Sequence, residues 1–275
     1  MDQDQANERT HCIRCGECCL NSSPTLQKQD ISLAFEGPIK RSDLYTIRVG
    51  ELVRDNIRDE LKVTDTELIK VREKEAGGGC IFYDDAEKAC AIYGHRPVQC
   101  KALACWDESE FMRVYATPKA GRKDIIHDQT LLRLIDEHEK RCAYAQLERY
   151  VKKIESDGEK AVENILQILK FDHDIRLLIP ERLGVDSDEM DLILGRPLTK
   201  TIAMFGLKVV RERDGSFLLT LLDSRPSPHK SKVALKDERP GKRQTPTSNI
   251  QRRMKKPMSN FDGFVRGPIS NFFCL

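Results

Sequence analysis

From Ile125 to Leu169 the apolar residues recur every three or four positions. Ile125, Ile126, Leu131, Leu134 and Ile135 make one stripe, Leu147, Tyr150, Val151 and Ile154 a second, and Val162, Ile165, Leu166 and Leu169 a third, which is the spacing of amphipathic helices. Asp186 with Glu189 resembles a capping arrangement for a short helix that stops at Gly195. The period then changes: "GLKVVRERDGSFLLTLL" predicts a hairpin turning at Asp214-Gly215. Further upstream, Leu44, Ile47, Leu52, Ile57, Leu61, Leu68 and Ile69 predict helices between Arg41 and Lys74, broken near Lys62 to Asp65. Two short β-prone runs, Cys80 to Tyr83 and Ala89 to Tyr93, flank the polar Asp84 to Lys88 and predict a second hairpin, with Cys80 and Cys90 on facing strands. Pro97 suits the first position of a following helix from which Cys100 projects.

These elements predict an α+β fold, mainly helical. Its expected parts are a cysteine-rich module at residues 1–110, a helical region ending in a β-hairpin at 111–222, and a tail at 223–275. The tail is rich in Pro, Ser, Lys and Arg without periodicity and is expected to be disordered.

Charge sharpens this division. The chain has 46 Lys/Arg and 44 Asp/Glu, net +2, but residues 225–275 hold 12 of the basic and 3 of the acidic residues, which leaves 34 basic and 41 acidic in the body. An acidic body does not suggest a phosphate-tracking surface, so nucleic acid is an expected partner only weakly, through the basic tail. The polar start MDQDQANERT has no apolar leader, and the longest aliphatic run, Phe217 to Leu222, is too short to span a bilayer. A cytoplasmic protein without a membrane partner is expected.

In that compartment clustered thiols point to metal or redox chemistry rather than to disulfides. "HCIRCGECCL" places Cys12, Cys15, Cys18 and Cys19 within eight positions, out of ten cysteines in the chain. The C-x2-C-x2-C spacing lets one turn direct three sulfurs at one iron-sulfur cluster, with a fourth ligand from elsewhere. Zinc competes, because Cys12 and Cys15 form a half-site that Cys80, Cys90 or Cys100 can complete. Thiolates suit both metals, and eight sulfurs exceed one four-coordinate site, so either two metals or one cluster with unused thiols is implied. Cys105 lies five residues beyond Cys100 and joins the set only if the helix has ended or a second site exists. Cys142 and Cys274 read as a core thiol and a tail thiol.

Other polar residues carry less. His11 and His95 each adjoin a thiol group, where a histidine can serve as ligand or proton carrier, but read first as solvent-facing turn histidines, while His127, His138, His173 and His229 have no spacing that indicates a shared site. Arg96 can serve a thiolate, a substrate anion, or an ion pair with Asp84 or Asp85, two residues that read as turn formers. No Ser-His-Asp arrangement or catalytic carboxylate pair is legible.

"CIRCGECC" followed by "CIFYDDAEKACAIYGHRPVQCKALACWD" resembles the cysteine-cluster (CxxCxxCC) family of zinc- or iron-chelating proteins, which is related to the flagellin lysine N-methylases. The likeness is carried by eight cysteine positions and by the Ile-Tyr-x-x-Arg-Pro-x-x-Cys run at Ile92 to Cys100, and similarity to longer bacterial members reaches about Leu222. The resemblance implies metal binding by Cys12, Cys15, Cys18, Cys19, Cys80, Cys90, Cys100 and Cys105, with iron, as such or in an iron-sulfur cluster, or alternatively zinc. As an alternative activity it implies a lysine N-methyltransferase-like enzyme acting on a protein substrate or partner with S-adenosylmethionine.

Overall fold

The structure, a computed structural model, describes residues 12–222 apart from 56, 59, 75–78 and 214, together with the backbone of 252–253. The N-terminal part carries helices α1 (Glu17–Asn21) and α2 (Ile31–Phe35), strands β1 (Leu44–Ile47), β2 (Leu52–Asp55), β3 (Glu60–Val63), β4 (Leu68–Val71), β5 (Tyr83–Asp84) and β6 (Ala89–Cys90), then helix α3 (Val98–Ala102). Eight helices follow: α4 (Ser109–Tyr115), α5 (Arg122–Ile125), α6 (Gln129–Arg141), α7 (Tyr144–Lys152), α8 (Ile154–Asp157), α9 (Glu159–Leu183), α10 (Met190–Ile193) and α11 (Leu198–Thr201). Strands β7 (Leu207–Arg211) and β8 (Phe217–Leu221) close the body, and β9 (Arg252–Arg253) lies beside β8. The class is α+β, as the periodicity implies.

The segment between Arg41 and Lys74, expected to be helical, instead forms four strands after a single 3-10 turn at Arg41–Asp43. β1 pairs antiparallel with β4 in the register Leu44 to Val71, and the β2–β3 hairpin is nested between them, Leu52 opposite Val63. β-branched Thr46, Ile47, Val53, Val63, Ile69 and Val71 suit a pleated surface better than a helix. The alternation was hidden because one inward position is polar: Thr46 is fully buried and its hydroxyl donates to the Leu192 carbonyl at 2.5 Å.

The hairpin around residue 86 also differs in register. Asp84 accepts hydrogen bonds from the Ala86 and Glu87 amides at 2.8 and 3.0 Å, a side-chain turn that brings Cys90 opposite Tyr83 rather than opposite Cys80. Cys80 pairs instead with Glu73. The C-terminal hairpin forms with Arg211 opposite Phe217, while its expected turn residue Asp214 lies outside the described residues. So does the tail, except that the 252–253 backbone adds a third strand, Leu219 facing Arg252.

All three helical stripes face inward. Ile125, Ile126, Leu131, Leu134 and Ile135 pack in one apolar cluster with Leu26, Leu44, Ile69, Cys80 and Ile92 from the N-terminal part. Leu147, Val162, Ile165, Leu166 and Leu169 pack in another with Cys142, Leu198, Leu207 and Leu219, so Cys142 is the core thiol expected.

Charged side chains run through this interior. Arg48, with a fully buried side chain, makes a two-pronged bond to Glu139 at 2.7 and 2.9 Å and donates to the Cys142 carbonyl at 2.9 Å. Arg122 joins Glu67 to the same Glu139. Asp172 accepts from His138 at 2.8 Å, from the Leu198 amide at 3.0 Å and from Arg176 at 3.2 Å. Gly195 (φ +75°) lies under Arg48, where a Cβ would come within 2.4 Å of the arginine Cδ, so a side chain there would displace the network.

Candidate metal centre

The CxxCxxCC turn is shaped by a glycine. Residues 12–16 are irregular, Gly16 has φ +80°, and α1 then carries Cys18 and Cys19. A Cβ on Gly16 would fall 2.2 Å from the Tyr83 hydroxyl oxygen, so both the backbone sign and the phenol demand glycine. Tyr83 is itself buried and sits opposite Cys90, which makes it the contact between the turn and the β5–β6 hairpin.

The second cysteine group is tied to the first through the backbone. The Cys80 amide donates to the Cys19 carbonyl at 2.7 Å. Cys100 stands on α3, whose first residue Val98 donates its amide to Asp30 at 2.9 Å, while the Gln99 side-chain carbonyl accepts from Thr25 at 2.9 Å. Helix α3 begins at Val98, one residue after Pro97, which stands at its N-cap rather than inside it, and ends at Ala102; Cys105 follows in the turn closed by Ala104 and Asp107. Cys105 thus lies past the helix end, the condition under which it can join the set.

Cys12, Cys15, Cys18, Cys19, Cys80, Cys90, Cys100 and Cys105 all line one cavity of about 270 Å³. Within it they differ in depth. Cys80 is buried, Cys19, Cys90 and Cys100 are half-buried, and Cys12, Cys15, Cys18 and Cys105 are exposed, all of them as free thiols. Among the described residues no three His, Cys, Asp or Glu side chains are drawn together closely enough to hold one ion. Cys18 and Cys19 have their sulfurs 3.9 Å apart.

Electrostatics link the two groups. The bond with Cys19 pushes the Cys18 thiol down to about 6, against its partial burial and with help from Arg96. The same bond, then burial, then the neighbouring sulfurs of Cys18, Cys100 and Cys80 push Cys19 up. Burial first, followed by Cys80, Cys90 and Cys18, raises Cys100 to about 12, and burial first, followed by Cys90 among its neighbours, raises Cys80. These thiols therefore resist ionising together unless positive charge is brought among them, which is what a metal supplies. In chemistry and number the donor set fits a thiolate-bound metal.

Arg96 takes neither carboxylate considered for it. Its guanidinium stacks on Tyr93 at 3.9 Å and donates to the Tyr93 and Cys100 carbonyls at 3.1 and 3.3 Å, while Lys74 pairs with Asp85. Arg14, in the CxxCxxCC turn, stacks on the same ring at 4.8 Å. His95 is exposed at the end of a 3-10 turn, and His11 lies outside the described residues.

Sequence reasoning missed the other wall of the cavity. Trp106, Phe111 and Tyr115 line it with Val53 and Ile57 of the β2–β3 hairpin and with Lys119. The available signal was Phe111 and Tyr115 at helical i, i+4 spacing; their rings stack 6.1 Å apart.

The N-terminal part of the chain is similar to known proteins. Residues 11–119 match the family described as "CxxCxxCC: Putative zinc- or iron-chelating domain". An uncharacterized protein of Methanocaldococcus jannaschii is 32% identical over 99 residues, a match spanning 33% of this chain and 42% of that relative, so less than half of either is shared. No solved structure matches the chain. No helix among the described residues is long and apolar enough to cross a membrane. Over residues 11–119, then, the chain is similar to the CxxCxxCC family, which is described by zinc or iron chelation.

Proposed function

We propose that this domain is an iron centre, held as an iron-sulfur cluster, for which zinc is the competing occupant, and that Cys12, Cys15, Cys18, Cys19, Cys80, Cys90, Cys100 and Cys105 form its ligand set. The observation that carries this reading is that all eight thiols line a single cavity although they come from two segments of sequence. Thiolates favour zinc, copper(I) and iron-sulfur groups over harder ions. Eight sulfurs around one void exceed what a single tetrahedral ion uses, and three of them follow the C-x2-C-x2-C spacing of cluster-binding turns.

The chain's own contribution is positional. Gly16 and Tyr83 shape the turn, the Cys80 amide holds the two groups together, and Arg96 lowers the cost of ionising Cys18 and Cys100. A bound cluster would supply one-electron chemistry or a cross-link between the segments. Free thiols in this number suit a reducing compartment, the cytoplasm.

Anaerobic purification with iron, zinc and acid-labile sulfide analysis, together with visible absorption, tests the reading. Iron and sulfide in comparable amounts, with a coloured protein, are expected. A colourless protein that keeps stoichiometric zinc after anaerobic reconstitution with iron and sulfide would overturn the iron assignment. Cys80→Ser and Cys100→Ser are expected to lose or alter the same metal signal, whereas Cys142→Ser keeps it; full metal with an unchanged spectrum in both of the first two would break the shared ligand set.

A further inference from the structure

We infer that the aromatic wall of the cysteine-lined cavity binds a small organic carboxylate with a ring-sized apolar body, its anionic group held by Lys119. The inference rests on the metal reading above, because a metal on the thiol side sets how much of the void remains for a second occupant.

One observation is apolar. The cavity of about 270 Å³ exposes Trp106, Phe111 and Tyr115 to its interior, with Val53 and Ile57 completing that side. Trp106 keeps 41% of its surface accessible, and aromatic faces gathered around a void of small-molecule size are the lining of an organic ligand site rather than of a bare metal site.

Another observation concerns charge. An ammonium has three N–H donors. Lys119 gives one to the Tyr115 carbonyl and one to the Thr117 carbonyl at 3.0 Å, and it lies 4.7 Å from the Tyr115 ring. Among the described residues no carboxylate pairs with it, and burial pushes its pKa down. Lys62, on the same wall, is by contrast matched with Asp55 at 2.5 Å. Capping the end of α4 explains two of the Lys119 donors. It explains neither the third, nor the lack of a counter-ion, nor the accessible Trp106 surface in the same cavity. A carboxylate on a ring supplies all three: an acceptor for the remaining N–H, a counter-charge for a half-buried cation, and a surface for the aromatics.

The test uses three ligands of nearly one shape, phenylacetate, 2-phenylethanol and 2-phenylethylamine, titrated into the metal-loaded full chain. Trp106 is the single tryptophan, so its fluorescence reports binding at this wall directly, and calorimetry gives the affinities. The acid is expected to bind at least about tenfold more tightly than the alcohol, with the amine weakest. Lys119→Met should abolish that preference while leaving the alcohol's affinity and the metal content unchanged, and Lys119→Arg should keep it. Equal binding of the three, no binding of the acid, or an unchanged preference in Lys119→Met overturns the inference. Metal analysis of the same samples separates the two readings. A metal-free protein that still prefers the acid defeats only the metal assignment, and a metal-replete protein without the preference defeats only this one.

Discussion

The helical interior and the cysteine-lined cavity handle polar groups in opposite ways. Inside the body, Arg48, His138 and Asp172 are at most 1% exposed, and Asp172 accepts from three different groups. In the cavity, half of the eight thiols are exposed, and even the adjacent Cys18 and Cys19 keep their sulfurs 3.9 Å apart. A closed network fixes one arrangement of the elements around it. An open donor set instead leaves its strongest interactions to be made with something the chain does not itself contain. Perturbed titration alone does not tell a functional group from a structural one, since His138 and Cys100 are both shifted; access does.

The largest effect that sharpens this contrast should come from Asp172→Ala. Removing the carboxylate strands His138 and the Leu198 amide in the interior and leaves Arg176 with Asp191 as its remaining carboxylate; a loss of roughly 3 to 5 kcal/mol is expected in urea denaturation, with metal per folded chain unchanged. A loss below about 1 kcal/mol would deny the network its structural role.

Acid should act on the same network. Burial, partly opposed by the Asp172 bond, pushes His138 from 6.5 down to about 4, and Asp172, despite its burial, is held well below the carboxylate range by His138 and Arg176. Both folded-state values lie below the unfolded ones, so the unfolded chain binds more protons in acid and stability falls as pH falls. For His138 the window runs from 6.5 down through about 4, and the loss is on the order of 3 kcal/mol. For Asp172 it continues below 3.8. Denaturation curves at pH steps across that window check the slope, and His138→Gln should flatten its upper part.

Effects at the cavity should be smaller and should appear in metal rather than in fold. Gly16→Ala forces a left-handed alanine against Tyr83, raising the turn's energy by roughly 2 kcal/mol. Lower metal content and faster release to a chelator are expected with unchanged helical circular dichroism; wild-type metal retention would show that the turn can move aside. Smallest is Arg14→Ala, which removes one exposed stacking partner of Tyr93, worth about 0.5 kcal/mol, or about a twofold faster release. A release rate equal to wild type would remove Arg14 from the site's support.

What the sequence made legible follows from the range of the interactions involved. Helix stripes and the β7–β8 hairpin are local patterns, and they were readable. The four strands of residues 44–71 were not, because Thr46 breaks the apolar alternation on the buried side and its partner, Leu192, lies 146 residues away. His138 has no neighbour in sequence that hints at Asp172, 34 residues on, so it passed as one histidine among several. The thiols were conspicuous by spacing alone. Their depth was not, since whether Cys80 or Cys12 lies at the floor of the cavity depends on strands that the apolar pattern concealed.

The hydrogen bond from the Cys80 amide to the Cys19 carbonyl has a consequence for when metal can arrive. Bringing together segments about sixty residues apart carries a loop-closure entropy, and in a zinc finger such a cost is met by the metal, so that the empty chain is unfolded. Here the intervening residues form β1 to β4, and Leu44 and Ile69 pack into the same cluster as Cys80 and the helices. Closure of that loop would then precede metal, which would still have to draw together thiols that share the cavity but not one coordination sphere.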